Sequence, residues 1–213
     1  MAVGALVVLL LVRLLSQRKR ANPLAALAKK LGLSLQEGHD DVLEHDVRIF
    51  SFSGLGRVFP RLYYALSCSK EGVRLKMFDY NGSRFAFGMP RFLFQTMGFG
   101  DVAGAAFPHF LVSPKTVYWR LRSLYSKDVF LREGIPGDFL KKYVIIVKKD
   151  MSAPKLHGEF FDTFLSLKKP YSLEARGSSF IFYRRSAVVP LRRMAIFFSD
   201  LQAVAGTLCR SAA

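Results

Sequence analysis

The chain has 213 residues, is 51% hydrophobic and 14% aromatic, and carries 32 Lys and Arg against 16 Asp and Glu, a net charge of +16. Such apolar content over such a length excludes a disordered or collagen-like chain, and two cysteines, Cys68 and Cys209, exclude a disulfide-stapled scaffold and any four-cysteine zinc site. The charge implies an anionic neighbour: phospholipid, nucleic acid or an acidic protein surface.

Ala2 to Val12 is an uninterrupted apolar run, broken by Arg13 and continued by Leu14 and Leu15. A helix from Ala2 to Ser16 would span about 22 Å, short against a hydrocarbon core of about 30 Å. Snorkelling of Arg13 and the flank Arg18, Lys19 and Arg20 would ease the mismatch. A cleaved signal peptide would need a positive segment before the run, and none precedes Ala2. The segment 1–20 is therefore expected to be a single transmembrane anchor. Bases after the run place the N-terminus outside and the remainder in the cytoplasm, where both cysteines would be reduced, buried spectators.

Asn22 and Pro23 read as a helix start and Gly32 as its stop, with Leu24, Leu27 and Leu31 in one stripe. Glu37, Asp40, Asp41, Glu44 and Asp46 follow as an acidic patch, read as a loop with a weak strand. His39 and His45 lie within it, but their spacing of six matches no zinc signature, so no metal site is expected there. From Val47 onward 26 bases face 11 acids, so the later part of the chain is basic in its own right.

β-like segments begin with Val47 to Ser53 and continue with Arg61 to Ser69, Val73 to Tyr80, Arg84 to Phe87 and Phe92 to Phe99. Asn81-Gly82 is the strongest hairpin signal in the chain. Val73, Leu75 and Met77 alternate with Arg74 and Lys76, so one strand face is solvated. The stretch from Gly98 to Ala106 reads as a boundary between a β-rich subregion, 21–104, and an α+β subregion, 105–213.

Pro108 to Ser113 reads as a strand, and Pro114 opens a helix with Val117, Leu121 and Leu124 at helical spacing. Asp128 to Arg132 and Lys141 to Lys148 read as strands. Pro154 starts a helix with the stripe Leu156, Phe160, Phe161, Phe164 and Leu165. Tyr171 to Ala175 and Ser178 to Arg184 form a hairpin around Arg176-Gly177. Pro190 opens a last helix with Leu191, Met194, Phe198, Leu201, Ala205 and Leu208 on one face. The expected fold class is α+β: an N-terminal transmembrane helix, then antiparallel sheet with packed helices.

No Walker loop, nucleophile elbow, Rossmann fingerprint or H-E-x-x-H is present, and no cofactor is implied. Asp79 ends a strand, and a hydrolase would need a histidine brought to it by the fold, His109 and His157 being unpaired in sequence. Bases and aromatics interleave in two places: Lys115, Trp119, Arg120 and Arg122, then Arg184 and Arg185 followed by Arg192 and Arg193. These are the candidate anionic-surface residues. On a tethered domain they suit anionic lipid; nucleic acid is the second partner and a protein surface a third.

The run Val73 to Tyr80 ending in Phe78-Asp79-Tyr80, with Gln95-Thr96 fifteen residues on, resembles a group of uncharacterised bacterial membrane-anchored proteins. Pro108-His109-Phe110 and Phe182-Tyr183-Arg184 before a final helix are similar too. The resemblance implies an architecture and a place at the bacterial cytoplasmic membrane, and no activity. From it and the charge, the expected function is binding or scaffolding at an anionic membrane, with tethered nucleic-acid binding as the alternative.

Overall fold

The structure, a computed structural model, describes residues 22–38, 40–50, 61–86, 89–125, 127–185 and 187–212. In chain order these form α1 (22–31), β1 (Ser34–Gln36), α2 (Asp41–Arg48), β2 (Arg61–Lys70), β3 (Val73–Ala86), β4 (Met89–Val102) and β5 (Phe107–Pro114). Then come α3 (Val117–Tyr125), β6 (Val129–Leu131), α4 (Gly137–Lys142), β7 (Tyr143–Val147), α5 (Gly158–Ser166), β8 (Ser172–Gly177), β9 (Ser179–Tyr183) and α6 (Leu191–Ala212). All described strands join one antiparallel sheet in the order β1-β2-β3-β4-β9-β8-β5-β7-β6.

Both faces of the sheet are covered, and residue parity sorts the strands between them. Leu75 and Met77, Phe110 and Val112, Leu173 and Ala175, and Phe180 and Phe182 point to one face. There they meet Leu24 and Ala28 of α1, the phenylalanines of α5, and Met194, Phe197, Leu201 and Leu208 of α6. Phe78, Tyr80, Met97, Phe99 and Ile181 point to the other and pack under Leu43, Val47 and Phe50 of the α2 segment. Trp119 of α3 covers Leu111 and Ile146 farther along that second face.

α+β architecture with packed helices is therefore present, but the membrane part of the expectation is corrected. Among the described residues no helix is long and apolar enough to cross a membrane. α6 has the length, yet it carries Arg192, Arg193 and Asp200, and its apolar stripe is spent on the sheet. The proposed anchor, with Arg13, Arg18, Lys19 and Arg20, lies outside the described residues. A single-pass architecture, the transmembrane label and a place in the bacterial cytoplasmic membrane have no support in the described fold.

Four local expectations also change. The acidic patch is mainly helix α2, since Asp40 caps it by accepting from the Leu43 N–H at 2.9 Å. Val47 and Arg48 belong to that helix rather than to a strand. Lys141 and Lys142 end helix α4, and the strand starts only at Tyr143. Asn81-Gly82 does not turn: the β3–β4 ladder continues through Asn81↔Phe94 to Ala86↔Met89. The bulge at Tyr64, with φ of 51°, lies where the β2–β3 register shifts.

Candidate functional site

Strand direction gathers the cations. β9 exits at Tyr183 beside the entry of β8 at Ser172, and β8 lies against the exit of β5. Pro114 at that exit pairs with Tyr143 at the entry of β7, and Leu131 closes β6 at the same end. The residues just outside these strand ends therefore share one end of the sheet. They include Arg184 and Arg185 after β9, Lys168 and Lys169 before β8, and Lys115 after β5. Lys141 and Lys142 before β7, Arg132 after β6, and Arg192 and Arg193 in the first turn of α6 add to them. All are exposed.

At the opposite end four cations meet acids. There Arg74 donates two hydrogen bonds to Asp101, at 2.8 and 3.3 Å. Lys148 meets Asp128 at 3.3 Å, Lys70 meets Glu71 at 3.3 Å, and Arg210 Nε reaches Glu159 at 2.8 Å. At the basic end Lys141 pairs with Asp138 at 2.7 Å, whereas Lys168, Lys169, Arg184, Arg192 and Arg193 form no ion pair among the described residues. Beyond Asn81 and Phe94, β3 and β4 pair only with each other among the described residues, so a two-stranded arm projects past this same end. Its register sets Arg84 opposite Arg91, and no acid occurs between Tyr80 and Asp101.

A cleft of about 340 Å³ opens at this end between the β9–α6 connection and α6. Lys168, Lys169, Arg184 and Arg193 bring four cations to it; Val188, Pro190 and Ile196 give it an apolar wall, and Tyr171 and Asp200 lie inside. Its outer wall is fixed to the sheet: Thr96 N–H donates to the Ala187 carbonyl at 3.0 Å, and the Val189 N–H donates to Thr96 Oγ1 at 2.8 Å. Thr96 Oγ1 donates in turn to Asp79 Oδ1 at 2.7 Å. Burial pushes the Asp200 carboxyl above its ordinary range, against the Tyr171 hydrogen bond and the attraction of Lys168. Burial and the Asp200 charge push the Tyr171 hydroxyl up to about 12.

Around the corner, on the α3 side, Arg185 lies over the Tyr118 ring at 5.5 Å, and Tyr118 stands edge-on to Trp119 at 4.9 Å. Trp119 is buried and donates to Ser113 Oγ at 3.0 Å, so it is packed wall rather than exposed platform. Lys115 donates to the Leu140 carbonyl at 3.0 Å and lines a second cleft, mostly apolar, with Trp119 and Phe130. Arg120 and Arg122 lie on α3. The fold thus brings Arg184 and Arg193 into one cleft, sets Arg185 on Tyr118, and leaves Arg192 exposed beside them.

Asp79 and His109 do not meet. Asp79 lies on the α6 face with Thr96, while His109 lies on the α3 face, its Nε2 2.8 Å from Glu174 Oε1 with both side chains buried. Neither cleft at the basic end is lined by that pair. Sequence reasoning missed Glu174, a buried acid in an alternating strand, and missed Lys168 and Lys169, whose nearness to Arg184 exists only once β8 lies beside β9. His39 lies outside the described residues, and His45 is exposed on α2. Compared with known proteins, the chain matches no family model, no curated protein and no solved structure.

Proposed function

We propose that the protein is a binding module for a phosphate-bearing polymer, a single-stranded nucleic acid, engaged by the basic end of the sheet. The observation that carries this reading is the clustering of exposed cations at one end of the sheet. Lys168, Lys169, Arg184, Arg192 and Arg193 cluster at one end without ion pairs among the described residues, while at the other Lys70, Arg74, Lys148 and Arg210 each meet an acid. Exposed Tyr118 beneath Arg185 adds a ring and guanidinium plane on which a base can stack. Lipid takes precedence over nucleic acid only on a membrane-tethered domain, and no described helix is long and apolar enough to cross a membrane.

Fluorescence anisotropy with a labelled single-stranded 20-mer of RNA tests it. Engagement of about four phosphates predicts that raising salt from 50 to 200 mM weakens binding on the order of 50-fold. The pair Arg184→Glu and Lys169→Glu should abolish binding, and Lys148→Glu at the far end should leave it within about twofold. No retention at low salt, or equal loss in the two variants, overturns the reading. So does binding to anionic vesicles with none to RNA.

A further inference from the structure

We infer that the cleft between the β9–α6 connection and α6 is a small-molecule site for a phosphate monoester whose organic body is apolar or planar. It goes beyond polymer binding and stands or falls separately. Four cations converge there against one carboxylate, Asp200, an excess suited to a dianion rather than to a neutral ligand or a single carboxylate. Arg184 and Arg193 approach from different elements, the end of β9 and the first turn of α6, with Lys168 and Lys169 from the α5–β8 connection.

The apolar wall favours an ester over bare phosphate. Val188 and Ile196 are 42% and 49% exposed, and they flank Pro190 beside the cations. Covering them with an organic body removes apolar surface from water that inorganic phosphate would leave wet. The wall is held before any ligand arrives, because both hydrogen bonds through Thr96 fix the 187–189 segment to β4. The volume of about 340 Å³ limits the body to roughly one ring system and its substituents.

Asp200 supplies a test of opposite sign. It is the cleft's acid and repels an incoming anion, so Asp200→Asn keeps an acceptor for the Tyr171 hydroxyl while removing the repulsion. Isothermal titration of the full chain with phenyl phosphate, uridine 5′-monophosphate, inorganic phosphate and benzyl alcohol is the experiment. One of the two phosphate monoesters should bind at one site at least 10-fold more tightly than inorganic phosphate, and the tighter of the two tells an aryl ester from a nucleotide. Benzyl alcohol should give no saturable heat.

Lys169→Gln and Arg193→Gln should each weaken the bound ester at least 10-fold, Asp200→Asn should tighten it several-fold, and Lys141→Gln should change nothing. Circular dichroism of each variant verifies its fold, and Arg193→Lys, retaining charge, should lose less than Arg193→Gln. Absence of saturable binding by both esters, equal weakening by Lys141→Gln, or weakening by Asp200→Asn overturns the inference. RNA binding without ester binding sinks this site alone, and ester binding without RNA binding sinks the polymer reading alone.

Discussion

Gly100 on β4 stands where no side chain fits. A Cβ built there would lie inside van der Waals contact of the Phe180 ring, and one on Gly98 would come within 2.7 Å of Leu201 on α6. These two glycines let a fully buried phenylalanine and the last helix settle on the sheet. Gly100→Ala must displace that ring, so it should cost about 1–3 kcal/mol in urea unfolding, the range for an overpacked core. Phe180→Leu in the same chain should recover part of the loss, a coupling of at least about 0.5 kcal/mol expected of touching residues. Simple additivity would show that the ring is not what Gly100 accommodates. In sequence the same glycines read as a boundary between subregions, because a missing side chain signals a gap until the partner that fills it is known.

Helix α2 shows how one element is specified by charge and apolar spacing together. Leu43, Val47 and Phe50 recur at helical spacing and enter the second core, while Asp40 caps the first turn and accepts from Lys76 Nζ at 2.7 Å. The acidic run disguised this as a loop, although a cap residue followed by that spacing was there to be read. Asp40→Ala removes cap and ion pair and should destabilise by about 2 kcal/mol, whereas Asp40→Asn should cost less because asparagine also caps. Equal losses in chemical denaturation would mean that the lysine contact alone matters. Elements with one clean period were legible: the α5 stripe, the α6 stripe and the β8–β9 hairpin match the observed packing. Elements that needed a neighbour were not. Asn81-Gly82 favours a turn locally, but the ladder to Phe94 and Leu93 outweighs it. The candidate site was half legible in the same way: Arg184 and Arg193 stood out by composition, and Lys168 and Lys169 join them only through strand order.

At the scale of the molecule, the two ends of the sheet should respond to acid in opposite ways. Asp101 ties β3, β4 and the β8–β9 turn together, accepting from Arg74 at 2.8 Å and from Ser178 at 2.7 Å. Burial pushes its carboxyl up, but the Ser178 and Arg74 hydrogen bonds and the Arg74 charge together hold it below the ordinary range. A depressed folded value stabilises above the unfolded pKa, and the benefit disappears as pH falls through the folded one. Asp200 at the basic end has the reverse sign: its raised value means that folding costs more as pH climbs through the carboxylate range. Asp101→Asn should therefore lower the melting temperature at pH 7 and have little effect near pH 2.5. Asp200→Asn should raise it at pH 7 and be close to neutral at pH 2.5. Because the chain already carries +16, protonating the far-end acids extends the cationic field over both ends, and added salt should slow the acid loss of stability by screening it. Thermal melts of the three proteins at both pH values, in 20 and 500 mM salt, decide the matter. Loss of stability by Asp200→Asn at pH 7 would show that its carboxylate is favoured by the cleft's cations more than it is penalised by burial.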